Sequence, residues 1–90
     1  MQATILQALV LETFSDIFEK VEDGQTKKIP YSKLIIYEFG QKYPKATILK
    51  LPQSLKDQAQ KIVGQRVDVL VKVFQKGNKM ELTFEGVAGV

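Results

Sequence analysis

From Gln65 to Phe84 the polarity alternates with a period of two. Val67, Val69, Val71 and Val73 fall on one phase, and Arg66, Asp68, Leu70, Lys72 and Phe74 on the other. Such alternation predicts a strand over Gln65–Phe74 with its valines in a core. Lys76-Gly77-Asn78-Lys79 reads as a tight hairpin turn with Gly77-Asn78 at its centre. A returning strand follows over Met80–Phe84, with Met80, Leu82 and Phe84 inward and Lys79, Glu81, Thr83 and Glu85 outward. Gly86–Val90 is then a short uncharged tail.

Upstream, Lys45–Leu51 predicts a strand, opened by Tyr43-Pro44. Leu55, Ala59, Ile62 and Val63 recur at helical spacing and predict a helix over Ser54–Val63, with Lys56, Asp57, Gln60 and Lys61 facing water. Pro52 precedes it, Ser54 and Asp57 supply a capping box, and Gly64 stands where a left-handed C-terminal cap is favoured. Ala3–Phe14 mixes helical spacing (Leu6, Leu9, Val10, Thr13) with β-branched residues and lacks a capping signal; it reads as a long strand, apolar on much of both faces. Ser15–Thr26 is acidic and ends in the turn-forming Glu22-Asp23-Gly24-Gln25. It reads as a loop or the extended arms of a hairpin, either a plain surface loop or a binding wing with Phe18 near its tip. Lys27–Phe39 is a second strand, apolar on both phases, so its facing stays open. Pro30, lacking an amide donor, belongs at its beginning or on an open edge. Glu38–Lys42 connects it to strand three.

One short helix between strands three and four of an otherwise all-strand chain predicts an all-β fold: a five-stranded OB barrel whose helix plugs the barrel, the whole of residues 1–90 forming one domain.

Composition narrows the chemistry. Ninety residues give a small core that association would help. No cysteine means no disulfide or thiolate site, and no histidine removes the usual general base and commonest metal ligand. Met1-Gln2-Ala3-Thr4 has no basic leader region, and no apolar run reaches the length of a membrane span, so a soluble cytoplasmic protein is expected. Glycines form no phosphate-cradling pattern, carboxylates do not pair at recognisable spacing, and no serine has a base. The expectation is a non-enzyme without cofactor or metal. A net charge of +3 and a pI near 9.2 lean towards an anionic partner.

Lysines and aromatics interleave on the strands: Lys27, Lys28, Tyr31, Lys33 and Tyr37; then Lys42, Tyr43 and Lys45; then Arg66, Lys72, Phe74, Lys76 and Lys79. Cations that follow a backbone beside rings that stack on bases are what single-stranded nucleic acid requires. Each residue also has a plainer reading, the tyrosines and Phe74 as core or barrel cover and the lysines as solubilising edge charges.

Lys28-Ile29-Pro30-Tyr31-Ser32, followed by Gly40-Gln41-Lys42-Tyr43-Pro44 and an apolar strand, resembles the helix-destabilising (gene V) proteins of filamentous phages, which carry similar segments in the same order. The resemblance implies a dimeric OB fold that coats single-stranded DNA cooperatively with little sequence preference, in phage or plasmid DNA replication. Tyr31 and Tyr43 would stack on bases, and Phe74–Lys79 would contact a dimer mate or neighbour. The chain departs from the family in the interval between the tyrosines, in Lys33 at an aliphatic position, in a hairpin tip without an aromatic, and in an acidic rather than basic Ser15–Gln25 segment. The expected ligand is single-stranded DNA, with RNA as an alternative. Lys27, Lys28, Lys33, Lys45, Arg66, Lys72 and Lys76 would displace counterions, and Tyr31, Tyr43 and Phe74 would stack. A protein-interaction module offering an edge strand or apolar patch is the competing expectation.

Overall fold

A computed structural model describes residues 1–40 and 42–88; Gln41 of the predicted connection and Gly89 and Val90 of the predicted tail lie outside the described residues. Five strands dominate: β1 (Gln2–Glu22), β2 (Gln25–Glu38), β3 (Lys45–Lys50), β4 (Arg66–Lys76) and β5 (Lys79–Val87). A 3-10 turn (Gln53–Leu55) leads into one helix, α1 (Lys56–Lys61), between β3 and β4. The hydrogen-bonded order β1-β2-β3-β5-β4 closes into a barrel, because β1 pairs with both β2 and β4.

Closure depends on β1 changing partners. Gln2–Leu9 pairs with β4 and Leu9–Glu22 with β2, and the ladder slips between Ile5 and Ala8 and again between Val10 and Glu12. Each slip is a bulge, which bends the strand and resets which residues face inward. Ala8 and Val10 thereby reach the core with Leu34, Ile36, Leu49, Leu51, Ala59, Val69, Val71 and Phe84. At the first bulge Gln7 takes a positive φ of 50°, a conformation that costs a non-glycine residue about 1–2 kcal/mol. Asp68 offsets that cost: its Oδ1 accepts from the Gln7 amide at 2.8 Å and from Gln7 Nε2 at 3.2 Å, while Arg66 Nε donates to the Gln7 carbonyl at 3.2 Å.

Beyond the barrel, β1 and β2 continue as a two-stranded arm whose registered pairs run to Glu22–Gln25. Asp23 (φ 52°) and Gly24 (φ 73°) close it with both central residues left-handed, as a type I′ turn requires. Of the two expectations for Ser15–Thr26, the hairpin arms are the one found. Phe18 lies part-way down the arm, opposite Ile29, rather than at its tip. Pro30 sits where β2 has β1 on one side and no strand on the other, since β3 pairs only from Lys33 onward.

The helix differs from its prediction at its start. Ser54 lies inside the 3-10 turn, and neither segment has a side-chain cap, so the Ser54–Asp57 box does not form. At its other end α1 stops at Lys61, two residues short of the predicted Val63. Gly64 is left-handed (φ 86°) as expected, but its amide donates to the Val10 carbonyl at 2.7 Å rather than back to the helix, while the Val10 amide donates to the Gln65 carbonyl at 3.0 Å. Those two bonds tie the helix exit to β1 between its bulges. Ala59 enters the core with Leu55 and Ile62 against it, but Val63 is exposed. On β5, Phe84 is buried and Leu82 packs on the core, yet Met80 is 68% exposed because its part of the hairpin runs past the barrel. The strand also continues through the predicted tail, with Gly86 and Val87 paired to Leu70 and Val69. No helix among the described residues is long and apolar enough to cross a membrane.

Replacing Asp68 with alanine removes both acceptor bonds at the bulge. It should lower stability by about 1–2 kcal/mol in urea denaturation; an unchanged midpoint would show that the bulge needs no such clamp.

Candidate nucleic-acid interface

Facing on β2 follows from burial: Ser32, Leu34 and Ile36 point inward, so Tyr31, Lys33, Ile35 and Tyr37 point out. Cross-strand partners share a face. Phe14 pairs with Lys33, Lys33 with Lys50, Lys50 with Thr83, and Thr83 with Lys72. These residues form one outward row that crosses β1, β2, β3, β5 and β4. Three of its members are lysines, and Lys33 and Lys50 are direct neighbours, about 5 Å apart at the backbone.

Like charges placed directly opposite each other in a sheet are destabilising. Among the described residues no lysine of the row joins an ion pair: the pairs found, Lys20–Glu22 and Lys27–Glu22, each at 3.3 Å, belong to the arm.

Aromatic rings flank the row on both sides. Tyr31 stands two positions before Lys33, with Phe14 and Phe18 against its ring at centroid distances of 6.5 and 5.9 Å. Phe74 stands two positions after Lys72, whose Nζ lies 4.9 Å from its ring centroid. Because β2 and β4 run parallel through the intervening strands, these offsets place Tyr31 and Phe74 on opposite flanks. A groove of about 700 Å³ connects them, lined among others by Phe18, Tyr31, Lys33, Lys50, Phe74 and Glu81. The arm carboxylate opposite Tyr31, Asp16, accepts from the Ile17 amide at 2.7 Å.

The structure thus brings together Tyr31, Lys33, Lys72 and Phe74 of the residues expected from sequence. It spreads the others. Lys27 is ion-paired near the arm tip, and Lys28 faces Glu19 further down. Lys76 lies beside Lys79 at the end of the β4–β5 hairpin, where Gly77 alone of the two central residues has a positive φ, the type II′ pattern. Arg66 is occupied at the bulge and stacks 4.4 Å over the Phe39 ring. Tyr43 does not open β3 but precedes it, 75% exposed beyond the Glu38–Lys45 pair. Lys45 is five register steps from Lys50, so both lie about 17 Å or more along the strands from the lysine row.

Lys50 of the groove and Phe14 of the outward row are residues that sequence reasoning missed. The strand-three alternation of Thr47, Leu49 and Leu51 against Ala46, Ile48 and Lys50 carries a signal for Lys50; Phe14 carries none without the register. Comparison of the chain with protein-family models, curated proteins and solved structures finds no match.

If Lys33 and Lys50 repel each other in the free protein, Lys50→Gln should raise the urea midpoint, equivalent to about 0.2–1 kcal/mol. A loss of stability would mean that the row is compensated after all.

Proposed function

We propose that this chain is an OB-fold protein that binds single-stranded DNA, coating it stoichiometrically rather than catalysing a reaction. One observation carries the reading: a row of lysines that join no ion pair among the described residues, flanked by aromatic rings, across the outer face of a closed five-stranded sheet. Uncompensated cations at a cost to the fold make sense where the missing charge is supplied by a ligand. Phosphates neutralise Lys33, Lys50 and Lys72, and bases stack on Tyr31, with Phe18 beside it, and on Phe74. The strand order and the single helix after β3 support an OB fold, in which strands two and three and the flanking loops form the ligand face. The resemblance of the Pro30-Tyr31-Ser32 segment to the phage helix-destabilising proteins supports the same ligand and a role in phage or plasmid replication in the host cytoplasm.

The competing reading, a protein-interaction module, is favoured by a different place. β3 and β5 share a single registered pair, Lys50–Thr83, and beside that seam Ile48 is 59% and Met80 68% exposed. Two open strand edges with apolar side chains suit a partner strand, and a second copy of the chain would cover them in the homodimer that the phage resemblance implies.

Fluorescence titration with a single-stranded oligonucleotide tests the reading. Tyr31→Ala should weaken binding by about tenfold or more, as expected for one stacked base, with far-UV circular dichroism unchanged. Tyr43→Ala should change it by less than about twofold, because it lies outside the groove. With three phosphates neutralised, the dissociation constant should rise by about two log units per log unit of salt. A salt-independent titration, or equal losses from both tyrosines, would remove the groove as the site.

A further inference from the structure

A carboxylate in a cationic groove is an anomaly. Glu81 lines the groove, and it also lines the adjoining recess formed by Lys33, Ile48, Lys50, Met80 and Leu82. Its cross-strand partner is Phe74, so it stands beside a ring exposed enough (44%) to receive a base. Among the described residues it joins no ion pair, and it accepts no side-chain hydrogen bond. A lone acid there repels phosphates and weakens backbone binding, yet it holds unused acceptor capacity at the edge of a stacking platform.

A base lying on Phe74 presents its Watson–Crick edge to its surroundings, and single-stranded binders read that edge by hydrogen bonding. Cytosine carries an exocyclic N4 amine there, which donates to a carboxylate. Thymine carries O4 in the same place, an acceptor that faces a carboxylate without a proton between them. Of the other polar lining groups, the Lys33 and Lys50 ammonium groups are the ones assigned to phosphates, and Tyr31, Ser32, Gln53 and Thr83 are neutral; the hydroxyls and the amide can each donate or accept and so serve either base. Resting on the single-strand reading above, we infer that Glu81 is a specificity-determining residue, giving the Phe74 end of the groove a preference for cytosine over thymine. Stacking alone does not produce this bias, since the two pyrimidines offer rings of equal size.

The test compares oligo(dC) and oligo(dT) of equal length, at one salt concentration and mildly alkaline pH, where cytosine stays unprotonated. The wild-type chain should bind oligo(dC) about fivefold or more tightly than oligo(dT). Glu81→Gln, nearly isosteric and able to donate as well as accept, should bring that ratio close to one. Glu81→Ala should do the same while tightening oligo(dT) binding, because a repulsive charge has gone. Equal affinities in the wild type, a preference for oligo(dT), or a ratio that survives Glu81→Ala would overturn the assignment while leaving the groove as a single-strand site. Failure of both oligonucleotides to bind even at low salt would overturn the single-strand reading itself, and this inference with it.

Discussion

Everything on the outer face of this molecule is placed by one strand that belongs to two neighbours. β1 must leave β4 and join β2 without breaking the core, and it does so through a left-handed Gln7 held by the Asp68 carboxylate. Once that bend is fixed, the register of every other pair follows. Phe14 comes level with Lys33, Lys33 with Lys50, and Thr83 with both Lys50 and Lys72. A slip of one residue would send alternate side chains to the other face and dissolve the row. The proposed binding surface is therefore a product of the closure and not of any local motif.

That dependence explains what could be read in the sequence and what could not. β4 was legible because its valines alternate without interruption and half of them are deeply buried. β1 was legible as a strand but not in its facing, because its inward residues, Ile5, Ala8, Val10 and Thr13, are spaced three, two and three apart: each bulge adds a residue, so a bent strand imitates helical spacing. The arm was half-legible. Asp23-Gly24 announced a turn, but polar composition gave no reason for strand pairing to continue so far past the core. Ser54 suited a cap by spacing, yet the chain enters α1 through a 3-10 turn that leaves that hydroxyl inside the segment.

The site followed the same logic. Lysine and aromatic content marked strands two to five, and Tyr31, Lys33, Lys72 and Phe74 do converge. Tyr43 and Lys45 belonged to the same compositional signal but lie at the far end of β2–β3, because proximity in sequence to Tyr31 becomes distance along an extended strand. Arg66 reads as a surface cation, whereas its guanidinium is committed to the bulge and to Phe39. Lys50 went unnoticed because a single lysine at a strand end is ordinary until its neighbours across the sheet are known. The placement of Lys33 directly opposite Lys50 breaks a local rule of sheet pairing, and such breaks are expected at functional sites.

The most direct measurement is amide chemical-shift mapping of the protein during titration with a single-stranded oligonucleotide. The account predicts that the largest changes fall on Tyr31, Lys33, Lys50, Lys72, Phe74 and Thr83, tracing the row and its two flanks. Changes confined to the turn around Tyr43 and Lys45, or to the open edges of β3 and β5, would contradict it.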